Sequence, residues 1–371
     1  MSSAHATRQA DQGGMIGLGT PLAFKRGPVM KNRLLCAPMT TTQSHDDGTL
    51  SEEELRWLVM RAEGDFAMTM TCGSHVQAVG RGFFGQLGCW SDDHIPGLSR
   101  LAAAIKAAGS ISSLQLYHAG ERAEPFPGEK IVAPWNDERK NTRALTTDEV
   151  RQTIDDFVQG AVRAEKAGFE GVEIHGAHGY LPAQFFDKRN QRNDGYGGSY
   201  KERTRFIDEM IDGIRASTAP DFQLGLRLSP ERRGADMAET RQFAEESMLS
   251  GKIDYLDISL WDCFKEPDED AYKGRPIIEY FVDLPRGDCK LAVAGKMMSA
   301  AGAQQCLDAG ADFLAIGRGA ILHHDFARRS IEDPSFTTAP IPVSRSYLYQ
   351  EGVSPAFADY LSSLWKAGVA D

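Results

Sequence analysis

The feature that most constrains this chain is a repeated alternation of short apolar runs with segments of helical period. Eight runs read as strands: Arg33–Pro38, Phe66–Gly73, Ile111–His118, Gly171–His175, Phe222–Leu228, Tyr255–Ser259, Lys290–Ala294 and Phe313–Ile316. Most lack strict in–out alternation, as expected of parallel strands covered on their outer face. Ser51 and Glu54 have the spacing of a capping box, with Ser51 as N-cap and Glu54 at N3 of a first helix. Thr147 is read as the cap of a second, whose apolar face is Ile154, Phe157, Val158 and Ala161 and whose end is Gly168. Ser199 is read as the cap of a third, carrying Phe206, Met210 and Ile214. A doubly wound sheet also alternates strands and helices. Eight units over residues 33–330, roughly 37 residues each, favour a closed (β/α)8 TIM barrel instead.

At ~150 residues per domain, 371 residues would suggest two or three domains. The pattern is better read as one α/β barrel at 33–330, an N-terminal segment and barrel cap at 1–32, and a C-terminal extension at 331–371. The one long insertion, about Ala119–Ala144, carries Pro125, Pro127 and Pro134. The extension is aromatic (Phe336, Tyr347, Tyr349, Phe357, Tyr360, Trp365) and is expected to pack on the barrel or on a partner subunit of a homo-oligomer.

Charge and cysteine usage narrow the function. Lys+Arg 41 against Asp+Glu 52 leaves −11, which argues against a nucleic-acid or anionic-membrane surface. No apolar stretch approaches the ~18 residues of a membrane span. Met1–Gly14 is polar and lacks the apolar core of a secretory leader. The six cysteines include no CxxC pair, so no zinc ribbon, iron–sulfur cluster or disulfide framework is expected, and a reducing cytoplasm is.

Gly80-Arg-Gly82-Phe-Phe-Gly85 matches GxGxxG, yet no helix start follows it, so it is read as a glycine-rich loop and not a dinucleotide fingerprint. More informative is Gly171-Val-Glu-Ile-His175-Gly-Ala-His178-Gly-Tyr180, a strand ending in two imidazoles and a phenol. In a barrel, such strand ends form the active site. The residues alone allow structural histidines and a packing tyrosine. They equally allow two donors for a carbonyl oxygen beside a proton-giving phenol. A metal reading lacks a third ligand. The seventh and eighth strands run into Gly295-Lys296 and Gly317-Arg318-Gly319, each pairing glycine amides with a cation. Barrels often bind phosphate there, although turn glycines with surface cations would look the same.

Six segments together resemble the old yellow enzyme family of FMN-dependent ene-reductases on (β/α)8 barrels. They are Asn32-Arg33…Ala37-Pro38-Met39-Thr40, Leu114-Gln115-Leu116-Tyr117-His118-Ala-Gly120, Glu173…Tyr180-Leu, Asn190…Ser199 with Arg203-Thr-Arg205-Phe206, Arg227-Leu-Ser-Pro230, and Ala315-Ile-Gly317-Arg318. The resemblance runs from about Pro21 to Asp325. It implies that Pro38 and Thr40 line the flavin, Thr40 near the O4 and N5 edge. It also implies that Gly73 leaves room under the ring, Gln115 pairs with the pyrimidine half, and Arg227 faces N1 and O2. Gly295, Lys296, Gly317 and Arg318 would take the FMN phosphate, the glycines together with Gly319 sitting where backbone must approach the cofactor. NADH or NADPH would reduce the flavin in a ping-pong cycle. His175 and His178 would then hold the carbonyl oxygen of an enone- or enal-type small molecule, hydride would pass to its β-carbon, and Tyr180 would protonate the α-carbon.

Some positions leave the pattern: Glu121 and Arg122 after His118-Ala-Gly120, Cys72 before Gly73, and the charged loop Glu231-Arg232-Arg233-Gly234-Ala235-Asp236. That loop reads as an ordinary solvated turn or as a contact for an anionic substrate or the dinucleotide. A demethylase or amine dehydrogenase of the same superfamily, a flavin-free aldolase or isomerase barrel, and a non-catalytic barrel remain open alternatives. An aldolase would need a strand-end lysine, and Lys296 is the obvious one so placed.

Overall fold

The computed structural model describes residues 16–124, 128–365 and 368–370. Eight parallel strands close into a barrel: β1 (Leu34–Cys36), β2 (Met68–His75), β3 (Ile111–Tyr117), β4 (Gly171–Gly176), β5 (Gln223–Leu228), β6 (Tyr255–Ser259), β7 (Lys290–Ala294) and β8 (Phe313–Ile316). Each strand pairs with its sequence neighbours, and β8 closes on β1, where Leu35 is in register with Ala315 on one side and Met68 on the other. Side chains alternate as a pleated strand requires. Leu34 and Cys36 join the apolar layer under the helices, while Leu35 and Ala37 join the barrel interior with Met68, Ala292 and Ala315. Below the barrel, Leu22 and Met30 exchange two backbone hydrogen bonds of 2.9 Å. That hairpin sets Phe24 edge-on to Phe313 at 5.6 Å and plugs the N-terminal end.

The crossover helices follow from caps and apolar faces. α1 (Glu52–Glu63) begins at Ser51, whose hydroxyl accepts from the Glu54 N–H. The box is only half made, because the Glu54 carboxylate turns inward to accept from Thr41 (2.6 Å) and Gln43 (3.3 Å). The helix α2 (Thr147–Lys166) is capped by Thr146 and not by Thr147: Thr146 and Glu149 form the reciprocal box, which needs the glutamate three positions on. Its face of Val150, Ile154, Phe157, Val158 and Ala161 is buried. The helix stops before Gly168, whose φ of +90° suits a residue without Cβ. α3 (Tyr200–Ser217) has the full box of Ser199 and Glu202 and buries Phe206, Met210 and Ile214.

The GxGxxG stretch is a loop with a single 3-10 turn at Ala78–Gly80. A Cβ on Gly80 would lie 2.5 Å from His118 Cδ2, so this glycine makes room for a protein ring. The long insertion folds partly into a two-stranded ribbon, Ile131–Ala133 beside Thr142–Ala144. Pro134 borders it, whereas Pro125 and Pro127, like Met1–Gly14, lie outside the described residues. Among the described residues no helix is long and apolar enough to cross a membrane.

After β8 the chain continues through α4 (Arg318–Leu322) and α5 (Phe326–Glu332), then α6 (Arg345–Gln350) and α7 (Pro355–Leu364). The extension packs on the barrel. Tyr347 donates to Leu322 O at 2.7 Å, Phe357 meets Trp57 edge-on at 5.1 Å, and the Ser354 N–H donates to Gln43 Oε1 at 2.8 Å.

Candidate active site

The C-terminal strand ends surround a cavity of about 500 Å³, within the ~300–1,000 Å³ usual for small-molecule sites. β1 supplies Ala37, Pro38, Met39 and Thr40. β5 supplies Arg227, β6 leads to Ser259 and Trp261, and β7 and β8 lead into Gly295–Met298 and Gly317–Arg318. The extension forms the remaining wall through Phe357, Tyr360, Leu361 and Trp365. A second cleft of about 350 Å³, bounded by Gln77, Trp90 and Asp156, lies outside the barrel and gathers none of the expected residues.

His175 and His178 meet at the end of β4. The Ala177 N–H donates to His175 Nδ1 at 3.2 Å, so this ring carries its proton on Nε2. His175 Nε2 lies 3.2 Å from His178 Nδ1, and His178 Nε2 lies 2.8 Å from Ser259 Oγ. The relay therefore runs from His175 through His178 to Ser259. Burial, helped by the positive charges of Arg227 and Arg122, holds both imidazoles well below the ordinary histidine range, so both are neutral. Tyr180 completes the cluster. Its ring is 4.5 Å from that of Tyr117 and 5.0 Å from that of His175, with the Arg122 guanidinium 4.5 Å above it.

Backbone strain concentrates on the same rim. His178, Arg232, Arg233, Trp261 and Lys296, none of them glycine, all have φ between +49° and +69°. Such conformations persist only where surrounding structure enforces them, and they gather at functional sites.

The polar floor is built from facing strands. Arg227 Nε lies 3.0 Å from Asp257 Oδ2, an ion pair outside hydrogen-bond geometry, and Gln115 Nε2 donates to Glu173 Oε1 at 2.7 Å. Burial raises the Glu173 carboxyl above its usual range; the Asp257 charge adds to this and Arg227 opposes it. Pro38, Thr40, Arg227, Gly295, Lys296, Gly317, Arg318 and His178 share the cavity; Gln115 and Gly73 lie in the strands beneath and beside it. A Cβ on Gly73 would sit 2.7 Å from Tyr117, one on Gly295 2.9 Å from Cys263 and one on Gly319 2.9 Å from Phe326. These three glycines are required by packing of the protein itself. Gly317 differs: a Cβ there would find nothing closer than Met39 Sδ at 3.8 Å.

Residues 18–334 match the model of the NADH:flavin oxidoreductase / NADH oxidase family. A probable NADH-dependent flavin oxidoreductase, YqiG, of Bacillus subtilis is 35% identical over 80% of this chain and 83% of its own length. An NADPH dehydrogenase of Bacillus velezensis is 32% identical over 88% of this chain and 97% of its own. The solved structure of morphinone reductase superposes with a TM-score of 0.74 at 28% identity, covering 90% of this chain and 93% of that one. An old yellow enzyme from Pichia sp. AKU4542 superposes with 0.75 at 25% identity, covering 90% of each chain. The chain belongs to the old yellow enzyme family.

Enzymes of this old yellow enzyme type are FMN-dependent and use NAD(P)H as reductant. The cavity suits that cofactor on its own evidence. Arg318 is exposed and has no anionic partner among the described residues, and it opens α4 where N–H groups lack intrahelical acceptors. Lys296 contributes a second cation, shared with Asp262 at 3.1 Å. The open approach at Gly317 and the buried Arg227 complete a donor set for an anionic, nitrogen-rich planar group.

Ser259, Tyr117 and Trp261 were given no role from the sequence, and Glu54 was read only as the N3 partner of Ser51. Ser259 ends a strand with no motif around it. Its one signal was its place at a barrel strand's C-terminus.

Proposed function

We propose that this protein reduces the activated double bond of an α,β-unsaturated carbonyl compound at the expense of NAD(P)H. When bound, FMN would supply the hydride chemistry that links NAD(P)H to the β-carbon. The protein's part is to hold the carbonyl and to deliver a proton. His175 Nε2 and His178 Nδ1, 3.2 Å apart, can serve one carbonyl oxygen together once His178 carries its proton on Nδ1. Ser259 permits that tautomer, because a hydroxyl can donate to His178 Nε2 as readily as accept from it. Neutral imidazoles then donate without a competing full charge and stabilise the enolate-like oxygen that develops. The Tyr180 phenol O–H gives its proton to the α-carbon. Arg122 above the ring stabilises the resulting phenolate until solvent returns the proton.

What supports this reading is one observation: two imidazoles, His175 buried and in a defined tautomer, and a clamped phenol converge at one strand end beside a cavity suited to FMN. The test is Tyr180→Phe followed in separate half-reactions. Reduction by NAD(P)H should stay within about twofold of the unaltered protein, while reoxidation by 2-cyclohexenone should slow by about 10²-fold or more. An equal loss in both halves would remove Tyr180 from the proton-transfer role.

A further inference from the structure

Two arginines beside the histidine pair are unaccounted for by the flavin or by any carboxylate. β3, β4 and β5 are consecutive in the barrel. Arg122 follows β3 and Arg233 follows β5, so they flank the His178–Gly179–Tyr180 segment that follows β4. Arg122 Nη1 donates to His178 O at 2.6 Å, with the guanidinium over Tyr180. On the other side, a Cβ on Gly179 would lie 2.9 Å from Arg233 Cβ and 3.4 Å from its Cδ. The Arg233 stem therefore crosses the backbone between the two functional side chains.

Neither guanidinium has a carboxylate partner among the described residues. The acids nearby are already matched: Asp268 with Arg232 at 2.6 Å, Glu231 with Lys265, and Asp187 with Arg189 at 2.7 Å. Arg233 is exposed, and both it and Arg232 are held at positive φ, +49° and +69°. The chain as a whole carries −11, so two uncompensated cations at one strand end are a local arrangement. The cations that suit the FMN phosphate, Lys296 and Arg318, stand on the loops after β7 and β8.

We infer that Arg233, assisted by Arg122, anchors an anionic oxygen group, a carboxylate or phosphate, on the ligand that occupies the His175–His178 site; this rests on the reading above that the site takes the substrate. Two sources share that chemistry: a carboxylate carried by the unsaturated substrate, and the phosphates of the dinucleotide.

The test uses FMN-loaded protein and Arg233→Gln, with Arg233→Lys as the conservative variant. Dissociation constants are measured from flavin absorbance for 3-(4-hydroxyphenyl)propanoate and for the neutral 4-ethylphenol, and from stopped-flow reduction for NADPH and NADH. A substrate carboxylate as the source predicts that the unaltered protein prefers the carboxylated phenol by about tenfold or more, that Arg233→Gln abolishes the preference, and that Arg233→Lys keeps part of it. Binding of 4-ethylphenol should not change. A dinucleotide source predicts instead that Arg233→Gln weakens NADPH or NADH by a similar factor with the phenol ratio unmoved. Unchanged ratios in both arms overturn the inference. Failure of both phenols to bind, or of 2-cyclohexenone to reoxidise the flavin, counts against the proposed function, and the dinucleotide arm still reads the anchor.

Discussion

The donor role proposed for His175 and His178 requires each to keep one proton in the right place, and the surroundings arrange that. The Ala177 N–H selects the Nε2–H form of His175, and Ser259 leaves His178 free to exchange tautomers. Burial is the first cause of their lowered pKa values, with the Arg227 and Arg122 charges adding to it. A depressed histidine takes up its proton at lower pH than the ordinary ~6.5. Both rings therefore stay neutral on going from pH 8 to pH 5.5, and the dissociation constant of 4-ethylphenol should be flat across that window. An inflection near 6.5 would contradict the assignment. The histidines and Tyr180 were legible in sequence because one strand end carries all three. Ser259 was not, since its partner lies 81 positions away. Nor was the reason for Gly73, which is set by the Tyr117 ring.

At the level of elements, α1 links the site to the C-terminal extension through one buried carboxylate. Glu54 is fully buried and accepts from Thr41 and Gln43, and Gln43 in turn receives the Ser354 N–H just before α7. Thr41 adjoins Thr40 in the cavity wall, and α7 brings Phe357, Tyr360 and Leu361 to the same wall. Removing the carboxylate by Glu54→Ala leaves two buried donors unpaired, at about 1–3 kcal/mol each. Thermal unfolding should show a loss of several kcal/mol, with Glu54→Gln, which retains an acceptor, losing far less. Equal losses would remove the network from this role. The bounds of β6, β7 and β8 coincide with the sequence expectation, because strands covered on their outer face read as uninterrupted apolar runs. The ribbon in the insertion was not legible, as its strands of three residues are too short to show a period. The cap at Thr146 was misplaced by one because the adjacent Thr147 is chemically equivalent, and only the spacing to Glu149 tells them apart.

The whole molecule sets an anionic chain against an anionic cofactor. Net charge −11 repels FMN at long range, so retention depends on local cations. We propose that Arg318 carries the largest share, since it is exposed at the start of α4 with no anionic partner among the described residues. Arg318→Ala should weaken FMN by about tenfold or more while leaving riboflavin, which lacks the phosphate, unchanged. Equal weakening of both flavins would move the phosphate elsewhere. The closed barrel was legible from eight alternating units, but the cavity's last wall was not. Phe357 and Trp365 reach it through the return of the chain over the rim, a long-range event that local periodicity does not encode.

The most direct test of the central claim is anaerobic absorbance of the FMN-loaded protein near 450 nm. NADH or NADPH should bleach the flavin band, and 2-cyclohexenone should restore it in equimolar amount with formation of cyclohexanone. A bleached protein that 2-cyclohexenone leaves colourless, and that only oxygen reoxidises, would contradict the proposed function.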